Sequence, residues 1–106
     1  MTGFVTLYAT FADAEEAARI ARILVEERLA ACANILGPIR SIYRWKGRIE
    51  DGAEVAALFK TTATAADRAI ARLAELHSFK VAAAAAFPIT HIQPTFGAWI
   101  AAEVEG

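Results

Sequence analysis

The alternation of apolar and polar residues predicts four strands and three helices along the chain. A first strand is expected at 4–10, where β-branched and aromatic residues are concentrated. A helix follows from Asp13, with Glu16 at the spacing of a capping box, to about Leu29. Its apolar positions recur at helical spacing and form one packing face: Ala17, Ile20, Ala21 and Leu24.

The middle of the chain predicts a long hairpin. Strand character runs over 31–49, with an interruption at Gly37 that is typical of a bulge or bend, and returns over 53–61. We place the turn at 50–52, because Asp-Gly is a strong turn signal. This turn sets three pairs opposite each other: Arg48–Glu54, Trp45–Ala57 and Tyr43–Phe59.

The rest of the chain predicts a second helix from Thr64, a strand over 81–89 and a short helix opened by Pro94. The alanines of 81–89 favour a helix by propensity, but Pro88 and the short flanks favour a strand. The order is that of an α+β, ferredoxin-like βαββαβ domain with a C-terminal helix, and we expect residues 1–106 to form one such domain.

The long hairpin predicts self-association. Strands of about ten residues extend beyond a sheet that only two helices cover, and the returning strand is apolar on both faces. A second copy of the chain is the simplest cover for such a surface. We expect the following residues at the subunit interface, with Trp45 as an anchor: Tyr43, Trp45, Val55, Ala57 and Phe59.

Composition limits the possible partners and location of the protein. The chain has 106 residues, 57% of them hydrophobic, but no apolar run reaches the roughly 18 residues of a membrane span. A formal net charge of −1 does not favour nucleic-acid binding. One cysteine, Cys32, and no basic segment leading an apolar one at the start favour a reducing, cytoplasmic location.

Several segments resemble the CutA family of divalent-cation tolerance proteins. The resemblance covers 4–100 and is most specific in 30–35 (AACANI) and 43–49 (YRWKGRI). It also includes Phe59-Lys60-Thr61, the pair Leu76-His77, and the closing helix with Trp99. The resemblance implies a ferredoxin-like fold, a homotrimer joined through the long hairpins, and an association with copper and other divalent cations without a settled reaction.

The resemblance also implies metal ligands. Cys32 and His77 match the cysteine and histidine of the family, but Lys80 and Ala83 stand where it has acidic residues. Thiolate and imidazole suit copper or zinc, yet two ligands are too few for a tetrahedral site. The alternative is a buried thiol and a histidine satisfied by local backbone groups, and a Cys32 nucleophile with His77 as its base is less favoured than either.

Two further groups have competing interpretations. A basic strand face (Arg40, Arg44, Lys46 and Arg48) suits phosphate groups, but it is more typical of a solvated face that prevents edge pairing. Lys60 and Tyr43 could face a cleft between subunits that takes a small anionic ligand, as in PII-like signalling proteins. The sequence therefore predicts a non-enzymatic CutA-like trimer with weak or lost cation binding, with a PII-like sensor as the alternative.

Overall fold

The computed structural model describes residues 2–105 and has the predicted order of elements. The strands are β1 (Phe4–Phe11), β2 (Cys32–Trp45), β3 (Arg48–Thr62) and β4 (Ala84–Pro88), and the helices are α1 (Ala14–Glu26), α2 (Ala66–Leu76) and α3 (Pro94–Glu103). The strands form one antiparallel sheet in the order β2-β3-β1-β4. The α+β, ferredoxin-like βαββαβ fold with a C-terminal helix is confirmed.

The start of α1 follows from its side chains. Asp13 accepts a hydrogen bond from the Glu16 backbone N–H at 2.8 Å, as a capping residue should. Glu16 reaches back to the N–H of Ala12 at 3.0 Å, one residue before the cap. The predicted capping-box start is confirmed, although the helix ends at Glu26 rather than near Leu29.

One face of the sheet and two helices enclose the main core. Alternate residues of β1, including Leu7 and Phe11, contact the apolar faces of α1 and α2. The cross-strand pairs Leu7–Phe59 and Ala9–Ala57 continue this face onto β3. We call it the helix-covered face and call the other side, which includes Thr6 and Lys60, the open face.

The prediction of the subunit interface was wrong for its β3 residues. Val55, Ala57 and Phe59 lie on the helix-covered face, and Phe59 is 0% exposed within a single chain. Because strand residues alternate faces, these three side chains complete the chain's own core and are not available to a second copy. The β3 residues that lie on the open face are their even-numbered neighbours, such as Leu58.

The predicted hairpin register was also wrong. The two-residue turn is Lys46-Gly47, with φ of 51° and 79°, so that Trp45 pairs with Arg48 and Tyr43 with Glu50. The predicted bulge is present, since the register shifts between Ile35 and Gly37. The Asp-Gly pair at 51–52 that suggested the turn lies inside β3 instead.

The alanine-rich segment forms the edge strand β4, which is shorter than the predicted 81–89. It pairs with β1 from Ala84 opposite Ala9 to Pro88 opposite Val5. Pairing with β1 outweighs the helix propensity of alanine, and a proline is tolerated on an edge strand. No helix within residues 2–105 has the length and hydropathy needed to cross a membrane.

Candidate functional site

The outer part of the hairpin extends beyond the rest of the sheet. Pairing of β1 with β3 stops at Phe11 opposite Val55, so residues 48–54 of β3 have β2 as their strand partner. The resulting ribbon, residues 39–54, makes the molecule elongated, with extents of 44 × 25 × 22 Å. We call this ribbon the projecting hairpin.

Large apolar side chains are exposed on both faces of the projecting hairpin. Tyr43 and Trp45 lie on the side continuous with the open face and are 46% and 38% exposed. Ile42 and Ile49 lie on the opposite side and are 64% and 61% exposed. Apolar surface on both sides of a two-stranded ribbon is typical of an interaction site.

The turn of the hairpin divides the predicted basic strand face. Arg40 and Arg44 share a face with Ile42, Arg48 lies on the opposite face beside Trp45, and Lys46 is in the turn. Arg40 also donates two hydrogen bonds, of 2.8 and 2.7 Å, to the Asp51 carboxylate, which lower the pKa of that carboxyl group. A continuous cationic strip for phosphate groups is therefore not formed in one chain.

Cys32 and His77 lie on opposite sides of the sheet. Cys32 pairs with Lys60 on the open face and is partly exposed. The His77 ring is buried on the other side and stacks on Phe11, with ring centroids 5.1 Å apart. One chain does not bring the two predicted ligands together, nor does it form the nucleophile–base pair considered from the sequence.

Both ring nitrogens of His77 are hydrogen bonded. Nδ1 accepts from the backbone N–H of Phe79 at 3.0 Å and therefore carries no proton. Nε2 lies 2.7 Å from the carbonyl oxygen of Thr10, so it must be the protonated nitrogen that donates. A neutral imidazole held in this way has no free lone pair for a metal ion, and residues 2–105 contain no cluster of three or more ligand-type side chains.

Glu16 has a second role that the sequence did not indicate. Its other carboxylate oxygen accepts the backbone N–H of Ser78 at 2.7 Å, which links α1 to the segment after α2. Burial would raise the pKa of Glu16, but the hydrogen bonds from Ser78 and Ala12 hold the pKa below its ordinary value. The partners lie 62 residues apart in sequence, so no local pattern could have predicted the contact.

Lys60 and Tyr43, the residues predicted to share a cleft, are far apart in one chain. They lie on the same side of the sheet, but Lys60 pairs with Cys32 and Tyr43 with Glu50. Ten residues of β3 separate these two levels, about 33 Å at the usual rise of a strand. A cleft containing both residues requires more than one chain and stays a prediction.

A cavity of about 780 Å³ lies where β1 ends, between the projecting hairpin and residues 78–83. The hairpin contributes Tyr43 and Trp45, and the facing segment contributes Phe79. Polar groups at the cavity include Lys46, Lys80 and Glu54, and Glu54 accepts a hydrogen bond of 2.6 Å from the Ser41 hydroxyl. The alternation of the hairpin predicted that Tyr43 and Trp45 share a face, but nothing local in the sequence places Phe79 opposite them.

Comparisons of the sequence and of the structure with known proteins point to the same family. The sequence model described as "CutA1 divalent ion tolerance protein" matches residues 5–103. The chain is 42% identical over 87 residues to the divalent-cation tolerance protein CutA of Thermus thermophilus, covering 81% of this chain and 84% of the relative. It is 36% identical over 93 residues to mouse Protein CutA, covering 88% of this chain but only 52% of that relative, so it spans about half of the mouse protein.

Among solved structures, the fold is similar to that of a periplasmic divalent cation tolerance protein CutA from Archaeoglobus fulgidus. The TM-score is 0.92 at 36% sequence identity, with 96% of this chain and 99% of that chain covered. The similarity extends over essentially the whole of both chains.

Proposed function

The chain belongs to the CutA1 divalent ion tolerance family, and from that premise we propose that it acts in divalent-cation tolerance as a non-enzymatic homotrimer that binds copper or other cations weakly or not at all. The observation that carries the proposal is the projecting hairpin, with exposed apolar side chains on both of its faces.

The case for assembly rests on surface that one chain leaves uncovered. Within residues 2–105, no helix or third strand reaches the hairpin, so Tyr43 and Trp45 on one side, and Ile42 and Ile49 on the other, remain exposed. Burial of apolar surface contributes about 25 cal/mol per Å². Sister chains packed against both sides would turn this exposed surface into interface, with Trp45 as a central anchor.

The case for weak cation binding rests on the ligands themselves. Cys32 lies beside Lys60, and both nitrogens of His77 are occupied by backbone groups. Lys80 and Ala83 stand at the positions where the family resemblance places acidic residues. The residues present in one chain therefore do not fit a metal ion held jointly by Cys32 and His77.

The non-enzymatic part of the proposal rests on the same geometry. A nucleophilic thiol needs a base within hydrogen-bond reach, and His77 lies across the sheet from Cys32. The comparisons favour cation tolerance over the alternative of a PII-like sensor with an anion between Lys60 and Tyr43. A cytoplasmic location is proposed on the single cysteine of the chain.

Titration calorimetry with copper(II) and with zinc, which is not redox-active, tests the cation part of the proposal. The variants are Cys32→Ser and His77→Gln, and His91→Gln is the matched control at an exposed histidine. We expect weak binding in the wild type and no greater loss in either variant than in the control. A tight site that Cys32→Ser or His77→Gln abolishes, while His91→Gln keeps it, would overturn the proposal.

A further inference from the structure

A homotrimer requires two different contact surfaces on each chain. Around a threefold axis, a patch on one chain meets a different patch on the next, because a patch that matches itself closes a dimer and not a ring of three. The projecting hairpin supplies one surface, with Tyr43 and Trp45 exposed on the side continuous with the open face. The proposed trimer therefore needs a second, complementary surface elsewhere on the chain.

An exposed aromatic pair on α3 provides such a surface. Phe96 and Trp99 stack with ring centroids 6.0 Å apart and are 37% and 43% exposed. They lie beside the buried stripe of the helix, which is formed by Gly97 and Ile100. Val25 of α1, 38% exposed, lines a shallow cavity together with Trp99 and extends the apolar patch. We call Val25, Phe96 and Trp99 the α3 flank.

The α3 flank and the projecting hairpin are at opposite ends of the molecule. α3 packs against Phe4, where β1 begins, whereas the hairpin extends beyond Phe11, where β1 ends. The molecule is 44 Å long, so the two surfaces do not meet within one chain. Phe4 and Tyr43 lie on the same side of the sheet, which places both surfaces on the open side of the molecule. A head-to-tail contact between neighbouring chains can bring them together.

The cavity at the hairpin suits the aromatic pair in size and lining. Its volume of about 780 Å³ lies in the range of roughly 300–1,000 Å³ that holds a drug-sized molecule, and so it can take two aromatic side chains. Tyr43 and Trp45 line it from the hairpin, and Phe79 lines it from the facing segment. Aromatic walls favour other rings, which can stack on them or meet them edge to face.

The two surfaces also carry opposite formal charge. The charged residues at the hairpin cavity give a net charge of +1: Lys46, Lys80 and Glu54. Those at the shallow cavity beside Trp99 give a net charge of −1: Glu26, Arg28 and Glu103. Two hairpin cavities would meet with like charge, whereas a hairpin cavity and an α3 flank meet with opposite charge.

We infer that the α3 flank of each chain occupies the hairpin cavity of the next, with Phe96 and Trp99 packed against its aromatic walls. Each contact joins two different surfaces, and three such contacts close the ring. The cavity is then filled by protein in the native assembly. The inference rests on the proposed trimer and deepens it, because it names the part of the sister chain that covers Tyr43 and Trp45.

A double-mutant cycle between chains tests the contact. Sedimentation equilibrium gives the dissociation constants of wild type, Trp45→Ala, Trp99→Ala and the double variant, and circular dichroism checks that each is folded. Trp99→Ala alone should weaken association by at least about tenfold, as expected for a buried interface tryptophan. Because the two side chains share one contact, the double variant should lose about fivefold less affinity than the product of the single losses.

A matched cycle and a cross-link locate the contact. Ile49→Ala replaces Trp45→Ala in the matched cycle, because Ile49 lies on the other side of the hairpin, and its loss should multiply with that of Trp99→Ala to within about twofold. The cross-linking group p-benzoylphenylalanine is introduced in place of Phe96, at an exposed position. On irradiation it should attach to residues 41–46 or 79–83 of another chain, which mixing of isotope-labelled and unlabelled chains identifies.

Two results would overturn the inference while leaving the trimer intact. One is a trimer in which the losses of Trp45→Ala and Trp99→Ala simply multiply. The other is a set of cross-links that includes neither the hairpin nor residues 79–83 of another chain. A wild-type chain that stays monomeric at every concentration would instead contradict the proposed trimer, and this inference with it.

Discussion

The two halves of β3 have opposite relations to the rest of the molecule. In residues 55–61, the odd-numbered side chains are enclosed by α1 and α2, and Phe59 has no exposed surface. In residues 48–54, the strand has β2 as its partner, and Ile49 is 61% exposed. One continuous strand thus belongs to a closed core at one end and to an open ribbon at the other.

The difference shows that apolar content alone does not identify an interface. Val55, Ala57 and Phe59 were predicted as interface residues because they are apolar and lie in the hairpin, but helices of the same chain cover them. The apolar residues of β3 are buried by their own chain only where β1 runs beside the strand, that is, from Val55 onward. The sheet surface left for the proposed sister chains is therefore the outer half of the hairpin, together with the part of the open face that α3 does not cover.

The largest expected effect is in the inner half. Phe59→Ala removes a fully buried ring and should lower the free energy of unfolding by about 3–5 kcal/mol. Ile49→Ala, in the outer half of the same strand, is the comparison and should cost less than Phe59→Ala, because Ile49 lies outside the core of its own chain. Urea denaturation measures both, and equal losses would remove the distinction between the two halves.

The next effect is in the outer half and concerns assembly. Trp45→Ala should weaken subunit association by about 2 kcal/mol or more, roughly a thirtyfold change in the dissociation constant. The secondary structure measured by circular dichroism should not change, since Trp45 lies beyond the core. Sedimentation velocity makes the measurement, with Arg19→Ala, at an exposed position of α1, as the control. Unchanged association in Trp45→Ala would argue against the hairpin as the interface.

A third prediction concerns the hydrogen bond from the Ser78 N–H to Glu16, which ties the start of residues 78–83 to α1. The pKa of Glu16 is lower in the folded chain than its ordinary value of 4.5, so the unfolded chain binds a proton first as the pH falls. The stability that Glu16 contributes is complete above about pH 4.5. It is lost as the pH falls through the pKa of Glu16 in the folded chain.

Glu16→Gln should therefore cost about 1 kcal/mol at neutral pH, on the scale of a charge-assisted hydrogen bond, and much less in acid. Glu15→Gln, at an exposed neighbour in the same turn, is the matched control and should change stability by less than about 0.5 kcal/mol at neutral pH. Thermal unfolding across a pH series measures both variants. A constant difference between Glu16→Gln and wild type at every pH would contradict the assigned role.

The smallest effect is at the hairpin tip. Gly47 has a φ of 79°, where a side chain costs about 1 kcal/mol, so Gly47→Ala should destabilise the hairpin by that amount. Gly52→Ala is the matched control, because Gly52 lies in extended β3 with open space around its Cβ position. Denaturant titration should show a loss for Gly47→Ala only, and the reverse order would support the turn predicted at 50–52.

The sequence was sufficient for the order of elements because each depends on local signals. The capping residue Asp13, the periodicity of α1 and the alternation of the hairpin act over a few residues. The turn was misplaced because Asp51-Gly52 is a stronger statistical signal than Lys46-Gly47, although a positive φ at Lys46 is what the structure adopts. A non-glycine residue with positive φ is uncommon, so sequence reasoning gives it little weight.

The candidate site was less predictable because it depends on distant contacts. Cys32 and His77 lie on opposite sides of the sheet because of the alternation of side chains along β2 and the path of the chain after α2. The sequence pattern does not specify that path. The cavity requires Phe79 to face Trp45 across the end of β1. Such juxtapositions arise from the whole topology and not from spacing within any one element.

Sedimentation equilibrium of the wild-type chain over a dilution series tests the central claim most directly. The account predicts a species of about three times the 11.4 kDa chain mass, which persists on dilution because the projecting hairpin is buried between sister chains. A folded species of 11.4 kDa that remains stable at every concentration would contradict it.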